Sequence, residues 1–461
     1  MLSLLDIAER AANGPKIDEN DWNMSLFNSL GELAKKHRIA YPEDGSFFNS
    51  DDGLADRVFE AAIEFLADKG VYCISTGRTI QFTRQEILDT IEAIPAELTV
   101  GQGVDARVLR KRRIEEKEAI NHCPGHHAPW SEGFAPLVVK NFAQIPSADY
   151  LEGINFAQVD GREIRGVSME AYAAKREVEF LREGIRKASR PGMAIAYYPI
   201  NTRAAALLAP LDEECGIRST DGILLSVLPD VKVEQDLIAA AIVYNEHGCF
   251  RVNGGGSGFV GGFAGGLEGA IIEGVVKPLA GFLVYRDNIT YAGVGAMRPT
   301  RGGEIMGVNP RGCWATSVVC QALNRNTNFI YFGGGAGTGG DPGSGTETRL
   351  WSQVGLAATP VNGGNVGISR VWRATMDASQ TPLEATWGHE VATAALRSGF
   401  DRGSASDFLR KLDEKIRGRV TEPTIHVSQC WDLARARPLP EYQDMYARVK
   451  EETSRMGLSF T

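Results

Sequence analysis

Two glycine runs are the first places in this sequence where chemistry could occur. Residues 254–266 read Gly-Gly-Gly-Ser-Gly-Phe-Val-Gly-Gly-Phe-Ala-Gly-Gly, and residues 333–345 read Gly-Gly-Gly-Ala-Gly-Thr-Gly-Gly-Asp-Pro-Gly-Ser-Gly. Each holds a Gly-x-Gly-x-x-Gly spacing, at Gly256, Gly258 and Gly261 and at Gly335, Gly337 and Gly340, between a strand-like and a helix-like stretch. In that setting bare backbone amides can close on a pyrophosphate. Two points weigh against a dinucleotide. Segments this rich in glycine meet the spacing by chance. Dinucleotide folds also carry the fingerprint in their first strand–helix turn, which here is not glycine-rich. No Gly-Lys-Ser/Thr follows either run, so a P-loop is excluded. The runs read better as loops at the mouth of a barrel, where backbone approaches a ligand or a partner closely.

A second cluster, Asn121-His122-Cys123-Pro124-Gly125-His126-His127, has the ligand types of a zinc site. Ligands so close in sequence rarely close a tetrahedron unaided. His389, His426 and Cys430 stand singly, and the expectation is that the chain binds no metal. The acidic run Leu211-Asp212-Glu213-Glu214-Cys215-Gly216, followed by Asp221-Gly222, precedes a strand and by default is a surface loop. Glu268 follows the first glycine run at the start of a helix. There it complements the helix dipole, and in a barrel it also stands near the mouth.

These groups need elements to position them. Residues 1–120 read as a mostly helical N-terminal region. Apolar spacing predicts a helix over Asp56–Lys69, Val71–Ile74 and Thr79–Phe82 form a hairpin, and Thr83 with Glu86 makes a capping box for a helix over Glu86–Ile94. The charged run Arg110-Lys111-Arg112-Arg113-Ile114-Glu115-Glu116 reads as a solvated helix face or a subunit contact. Residues 121–461 form the second part. From about residue 190, candidate strands Met193–Tyr198, Ile223–Val227, Cys249–Val252, Thr290–Val294 and Asn328–Phe332 alternate with helical stretches such as Val233–Tyr244 and Leu267–Tyr285. Alternation of this kind favours parallel βαβ units, and their number favours an α/β fold closed as a barrel. Tyr442–Met456 is a final helix stopped at Gly457.

Composition bounds the partners. With a net charge of −9 over 461 residues, the chain lacks the basic face that nucleic acid requires. No run of about 20 apolar residues is present to span a bilayer. The start Met1-Leu2-Ser3-Leu4-Leu5-Asp6 reaches an acid too early for a signal peptide. Seven scattered cysteines without a CxxC pair suit a reducing, cytoplasmic setting.

Several stretches together resemble the corrinoid-dependent monomethylamine methyltransferase family. They are Val71-Tyr72-Cys73, Phe82-Thr83-Arg84-Gln85-Glu86-Ile87, Arg110-Lys111-Arg112, Arg190-Pro191-Gly192-Met193, Gly261-Gly262-Phe263-Ala264-Gly265-Gly266-Leu267-Glu268, and the tail from Glu441-Tyr442 to Gly457-Leu458-Ser459-Phe460, in family order. The resemblance implies a (β/α)8 TIM barrel and a homo-oligomer, a hexamer in the family. It further implies that the chain binds no cofactor itself and that a corrinoid (cobalamin) protein partner accepts the methyl group. It places the family's pyrrolysine, counted back from Thr220-Asp221, at Glu214, so this is a relative without pyrrolysine. It matches Asn328-Phe329-Ile330-Tyr331 to a second site stretch, with Phe329 in place of a family glutamine, while Tyr331 and Glu268 keep the family's type. The implied site is Glu214, Glu268 and Tyr331 as catalytic residues, with Glu213, Asp221, Phe329 and Tyr331 binding substrate.

Losing the pyrrolysine imine puts free monomethylamine in doubt and turns attention to other small methylated amines. Methyl transfer to cobalt(I) requires nitrogen to leave as a neutral amine, which a quaternary or protonated donor satisfies. Aromatic faces hold such a cation with a softer field than a carboxylate. Two other classes remain as alternatives: a nucleotide-dependent oxidoreductase built on the glycine loops, and a non-catalytic barrel that binds a methylated amine as a sensor.

Overall fold

In the computed structural model, residues 2–125, 129–199, 201–296, 308–337, 346–368, 376–419, 422 and 425–460 are described. Six parallel strands lie side by side in chain order: Tyr150–Glu152, Ala194–Tyr197, Gly222–Leu224, Phe250–Asn253, Ile289–Ala292 and Ile330–Gly333. Parallel bridges Gly125↔Glu152, His122↔Val366 and Phe332↔Asn365 join the two edges through segments 122–125 and 365–366. Six strands and two bridging segments make eight, and the ring is closed. Helices including Ala135–Ala143, Val167–Lys187, Gln235–Glu246, Leu267–Tyr285 and Pro310–Asn326 separate successive strands. This is the (β/α)8 barrel that the alternation and the resemblance predict. It begins earlier than the strand–helix texture suggests, because its first two strands lie before residue 190.

Alternation along each strand sorts side chains between two cores. Tyr150, Ala194, Ala196, Leu224, Phe250, Val252, Ile289, Ile330 and Phe332 fill the lumen with Cys123. Leu151, Ile195, Tyr197, Ile223, Phe329 and Tyr331 face the surrounding helices.

The hairpin of Glu97–Val100 and Arg107–Arg110 stoppers the N-terminal end of the barrel. Its Val100 and Leu109 join the lumen core. Its turn docks by hydrogen bonds from Gly101 N to Thr220 O (3.1 Å) and from Gln102 N to Gly192 O (2.8 Å). The charged run that follows is therefore not a solvated helix face. Arg110 ends a strand, and Arg112 is buried, donating to the carbonyls of Glu116, Glu118 and Ala119. A guanidinium has enough donors to tie down several carbonyls of one loop at once.

The N-terminal helices Leu4–Asn13, Glu19–Lys36, Asp52–Asp68 and Arg84–Glu92 pack outside the barrel. The last starts at the anticipated Thr83–Glu86 capping box. Val71–Cys73 pairs with Arg78–Ile80 as the expected hairpin, and also runs parallel to Lys232–Val233 of a barrel loop, which fastens the two parts together.

Candidate active site

The end of the barrel opposite the hairpin is the C-terminal end of its strands, where barrel enzymes keep their chemistry. Its floor is the upper layer of lumen side chains: Ala196, Leu224, Val252 and Phe332, with Glu152 and Tyr291 among them. Glu152 is 2% exposed, and its Oε1 accepts a hydrogen bond from the Tyr291 hydroxyl at 2.7 Å. The Tyr291 ring lies tilted beside that of Phe332 at 6.2 Å, and Tyr150 below meets Phe332 edge to face at 5.9 Å. Burial, reinforced by Glu152, pushes the Cys123 thiol and the Tyr291 hydroxyl well above their ordinary pKa values, so both stay neutral donors against the carboxylate. Burial does the same to Tyr150, reinforced by Cys123 and then Glu152. A carboxylate among aromatic faces and apolar walls suits a small cation carrying methyl groups.

Two glycines make room for Tyr291. A Cβ on Gly256 would stand 1.9 Å from its carbonyl oxygen, and one on Gly367 would stand 2.7 Å from its ring.

The structure does not bring the sequence-derived site residues together. Glu213, Glu214 and Asp221 precede the strand Gly222–Leu224 and so lie at the opposite, N-terminal end. Glu213 is exposed, accepting from Ser219 N at 2.9 Å and pairing with His247 at 2.9 Å. Glu214 is exposed in a turn, its amide donating to Asp212 Oδ1 at 2.8 Å. Asp221 is 1% exposed and structural in its contacts: it pairs with buried Arg182 and accepts from Arg218 N at 2.7 Å and Ile195 N at 3.0 Å. Phe329 and Tyr331 have the outward parity of their strand. Phe329 packs edge-on against Phe282 at 5.8 Å, and the Tyr331 hydroxyl donates to Asn362 O. Ile330 and Phe332 take the lumen instead. Glu268 alone of the six lies on the mouth side, half-buried in the first turn of Leu267–Tyr285.

Sequence reasoning missed Glu152 and Tyr291. The available signal was an acid in a strand-like run, Tyr150-Leu151-Glu152, two places from an aromatic residue and hence on its face.

The first glycine run follows the strand Phe250–Asn253, as a loop on the mouth side. Several of its amides are already engaged. Gly255 N donates to Asn253 Oδ1 (3.0 Å), Gly258 N to Gly293 O (3.1 Å), Phe259 N to Glu273 Oε2 (3.0 Å) and Gly261 N to Gly265 O (3.0 Å). A carboxylate thus occupies a donor that a pyrophosphate would need, which argues against the dinucleotide reading. The second run follows Ile330–Gly333; Gly335 and Gly337 are described, and Gly340 lies outside the described residues.

In the histidine cluster, His122 is buried with Nδ1 2.8 Å from Ser147 Oγ and its ring stacked on His389 at 4.8 Å; His126 and His127 lie outside the described residues. Among the described residues no three His, Cys, Asp or Glu side chains group as metal ligands, and no helix is long and apolar enough to cross a membrane.

A family model, Monomethylamine methyltransferase MtmB, matches residues 2–458. Monomethylamine methyltransferase MtmB2 of Methanosarcina acetivorans is 26% identical over 464 residues, covering 99% of this chain and 98% of its own. Monomethylamine methyltransferase MtmB of Methanosarcina mazei is 25% identical, with 99% and 98% covered. The crystal structure of the hydroxylamine MtmB complex superposes with a TM-score of 0.89 at 22% identity, and that of the Methanosarcina barkeri monomethylamine methyltransferase with 0.87 at 22%, each covering 99% of this chain and 98% of the other. At that identity the two structures establish the fold.

Proposed function

The chain belongs to the monomethylamine methyltransferase MtmB family, and on that premise we propose that it moves a methyl group from a small methylated amine to the cobalt(I) of a corrinoid carried by a separate protein. The donor in this reading is N-methylated or quaternary rather than free monomethylamine. Cobalt supplies the electron pair for the new bond, and nitrogen leaves with the pair of the broken C–N bond as a neutral amine.

The observation that carries the reading is the floor of the mouth, where Tyr291 donates to Glu152 and its ring lies beside that of Phe332. Glu152 draws the ammonium in, and the hydroxyl of Tyr291 tempers its field. The rings take the methyl-bearing face, where charge falls toward the transition state. A carboxylate that attracts the charged ground state more than the transition state serves binding and not rate.

The test is incubation with a reduced corrinoid protein and mono-, di-, tri- and tetramethylated ammonium donors, following methylated corrinoid by absorbance. Transfer from the more methylated donors and none from monomethylamine is the expected result. Transfer from monomethylamine alone would overturn the donor assignment, and binding without transfer would favour a sensor. Glu152→Gln should raise KM about ten- to a hundredfold, the worth of a charged hydrogen bond, and leave kcat undiminished. A collapsed kcat at unchanged KM would instead make Glu152 a participant in the chemical step.

A further inference from the structure

We propose that Glu273 and Lys277, one turn apart on the Leu267–Tyr285 helix, are positioning residues that hold the first glycine loop, and through it Tyr291, against the floor of the mouth.

Both side chains are almost fully buried, 2% and 1% exposed, on a helix whose other buried residues are mostly apolar. Their hydrogen bonds with Phe259, Asp230 and Ser257 run outward to loop backbone. Glu273 Oε2 accepts from Phe259 N at 3.0 Å and Oε1 from Asp230 N at 3.3 Å. Lys277 Nζ donates to Ser257 O at 3.0 Å and lies 5.1 Å from the centroid of the Phe259 ring. One helix face therefore clasps the loops that follow two neighbouring strands, Gly222–Leu224 and Phe250–Asn253. Charged hydrogen bonds are about twice as strong as neutral ones, so loops otherwise rich in glycine gain fixed anchors.

The same loop presses on Tyr291. Gly256 leaves no room for a Cβ against the Tyr291 carbonyl. Beyond it, Gly258–Val260 pairs in parallel with Val294–Ala296, the continuation of the chain past Tyr291. A shift of the loop is passed to Tyr291 and hence to its bond with Glu152.

The kinetic part of this inference rests on the methyl-donor reading of the mouth; the structural part does not. The experiment combines hydrogen exchange by mass spectrometry with steady-state methyl transfer on Glu273→Gln, Lys277→Met and Lys277→Arg. A glutamine at 273 offers one acceptor oxygen and turns an amide NH2 toward the other donor, so one loop is released. Exchange in peptides spanning 228–232 or 255–261 should quicken about tenfold or more in Glu273→Gln, and in the second peptide in Lys277→Met, with the Ala135–Ala143 helix unchanged. Donor KM should rise roughly three- to thirtyfold with a smaller change in kcat, and Lys277→Arg should restore both readouts. Unchanged exchange, or exchange raised equally across the protein, overturns the proposal. If Lys277→Met does not fold, Glu273→Gln and Lys277→Arg decide it by the same criteria. If the wild type transfers no methyl group, the functional reading fails, and the exchange data alone still decide the positioning role.

Discussion

Glu152 and Glu177 approach the strand Ala194–Tyr197 from opposite sides. Glu152 lies in the lumen, where the Tyr291 hydroxyl serves it. Glu177 reaches in from the helix Val167–Lys187 and accepts from Phe156 N at 2.7 Å and the Tyr197 hydroxyl at 2.9 Å. Burial outweighs those bonds and pushes the Glu177 carboxyl up to about 8 from an ordinary 4.5. The sign follows from linkage. Below 4.5 the group is protonated in both states and contributes nothing to the pH dependence. As pH rises from 4.5 to about 8, only the unfolded chain ionises, so stability falls across that window and then levels off. The loss is on the order of a few kcal/mol. Glu177→Gln removes this titration. The difference in Tm between variant and wild type should move in the variant's favour from pH 5 to pH 8. Parallel Tm curves would refute it. At this scale the sequence was only partly legible. Glu268 sits on the mouth side, as its place at the start of a helix after a strand implies, whereas Glu152 needed the strand's parity and the closure of the ring to acquire a meaning.

Parity also governs the elements. Asn328–Phe332 is recognisable as a strand from its composition, but which of its residues face the lumen is decided by pairing with the strand Ile289–Ala292. A one-residue step exchanges the two faces, which is why Phe329 and Tyr331 lie outside and Ile330 and Phe332 inside. The late strands are legible because each is an apolar run beside a helix. The first and last segments of the ring, 122–125 and 365–366, are held by single bridges and have no run to reveal them. The glycine runs are legible as loops after strands. In the first run Gly256 serves close packing, and this is testable. Gly256→Ala must displace the Tyr291 carbonyl, whereas Gly337 has no atom within 4 Å of its would-be Cβ. Overpacking of this kind costs about 1–3 kcal/mol. An unfolding entropy of about 2.1 cal/mol/K per residue over 461 residues makes roughly 1 kcal/mol per kelvin. Gly256→Ala should therefore lower Tm by about 1–3 °C and raise donor KM, while Gly337→Ala changes neither. Equal effects from the two would mean that the first loop yields freely.

At the scale of the whole molecule, the two ends of the one barrel carry different residues. The N-terminal end is stoppered by the hairpin whose Val100 and Leu109 are fully buried in the lumen core. Glu213, Glu214 and Asp221 gather at that same end; the sequence reads their run by default as a surface loop, and only the resemblance makes it a site. The C-terminal end carries Glu152, Tyr291 and the glycine loops. Barrels of this kind separate stability from chemistry along their axis, and three variants test the separation here. Leu109→Ala leaves a cavity beneath the lower layer and should cost about 2–5 kcal/mol, or about 2–5 °C in Tm on the same entropy, without altering donor KM. Glu152→Gln should raise KM with little change in Tm. Glu214→Gln, on an exposed turn at the stoppered end, should move neither. Thermal unfolding and methyl-transfer kinetics on the three proteins give a pattern with only one acceptable form. If Glu214→Gln abolished transfer, or if Leu109→Ala raised KM as strongly as Glu152→Gln, the chemistry would have to lie at the end of the barrel that the hairpin closes.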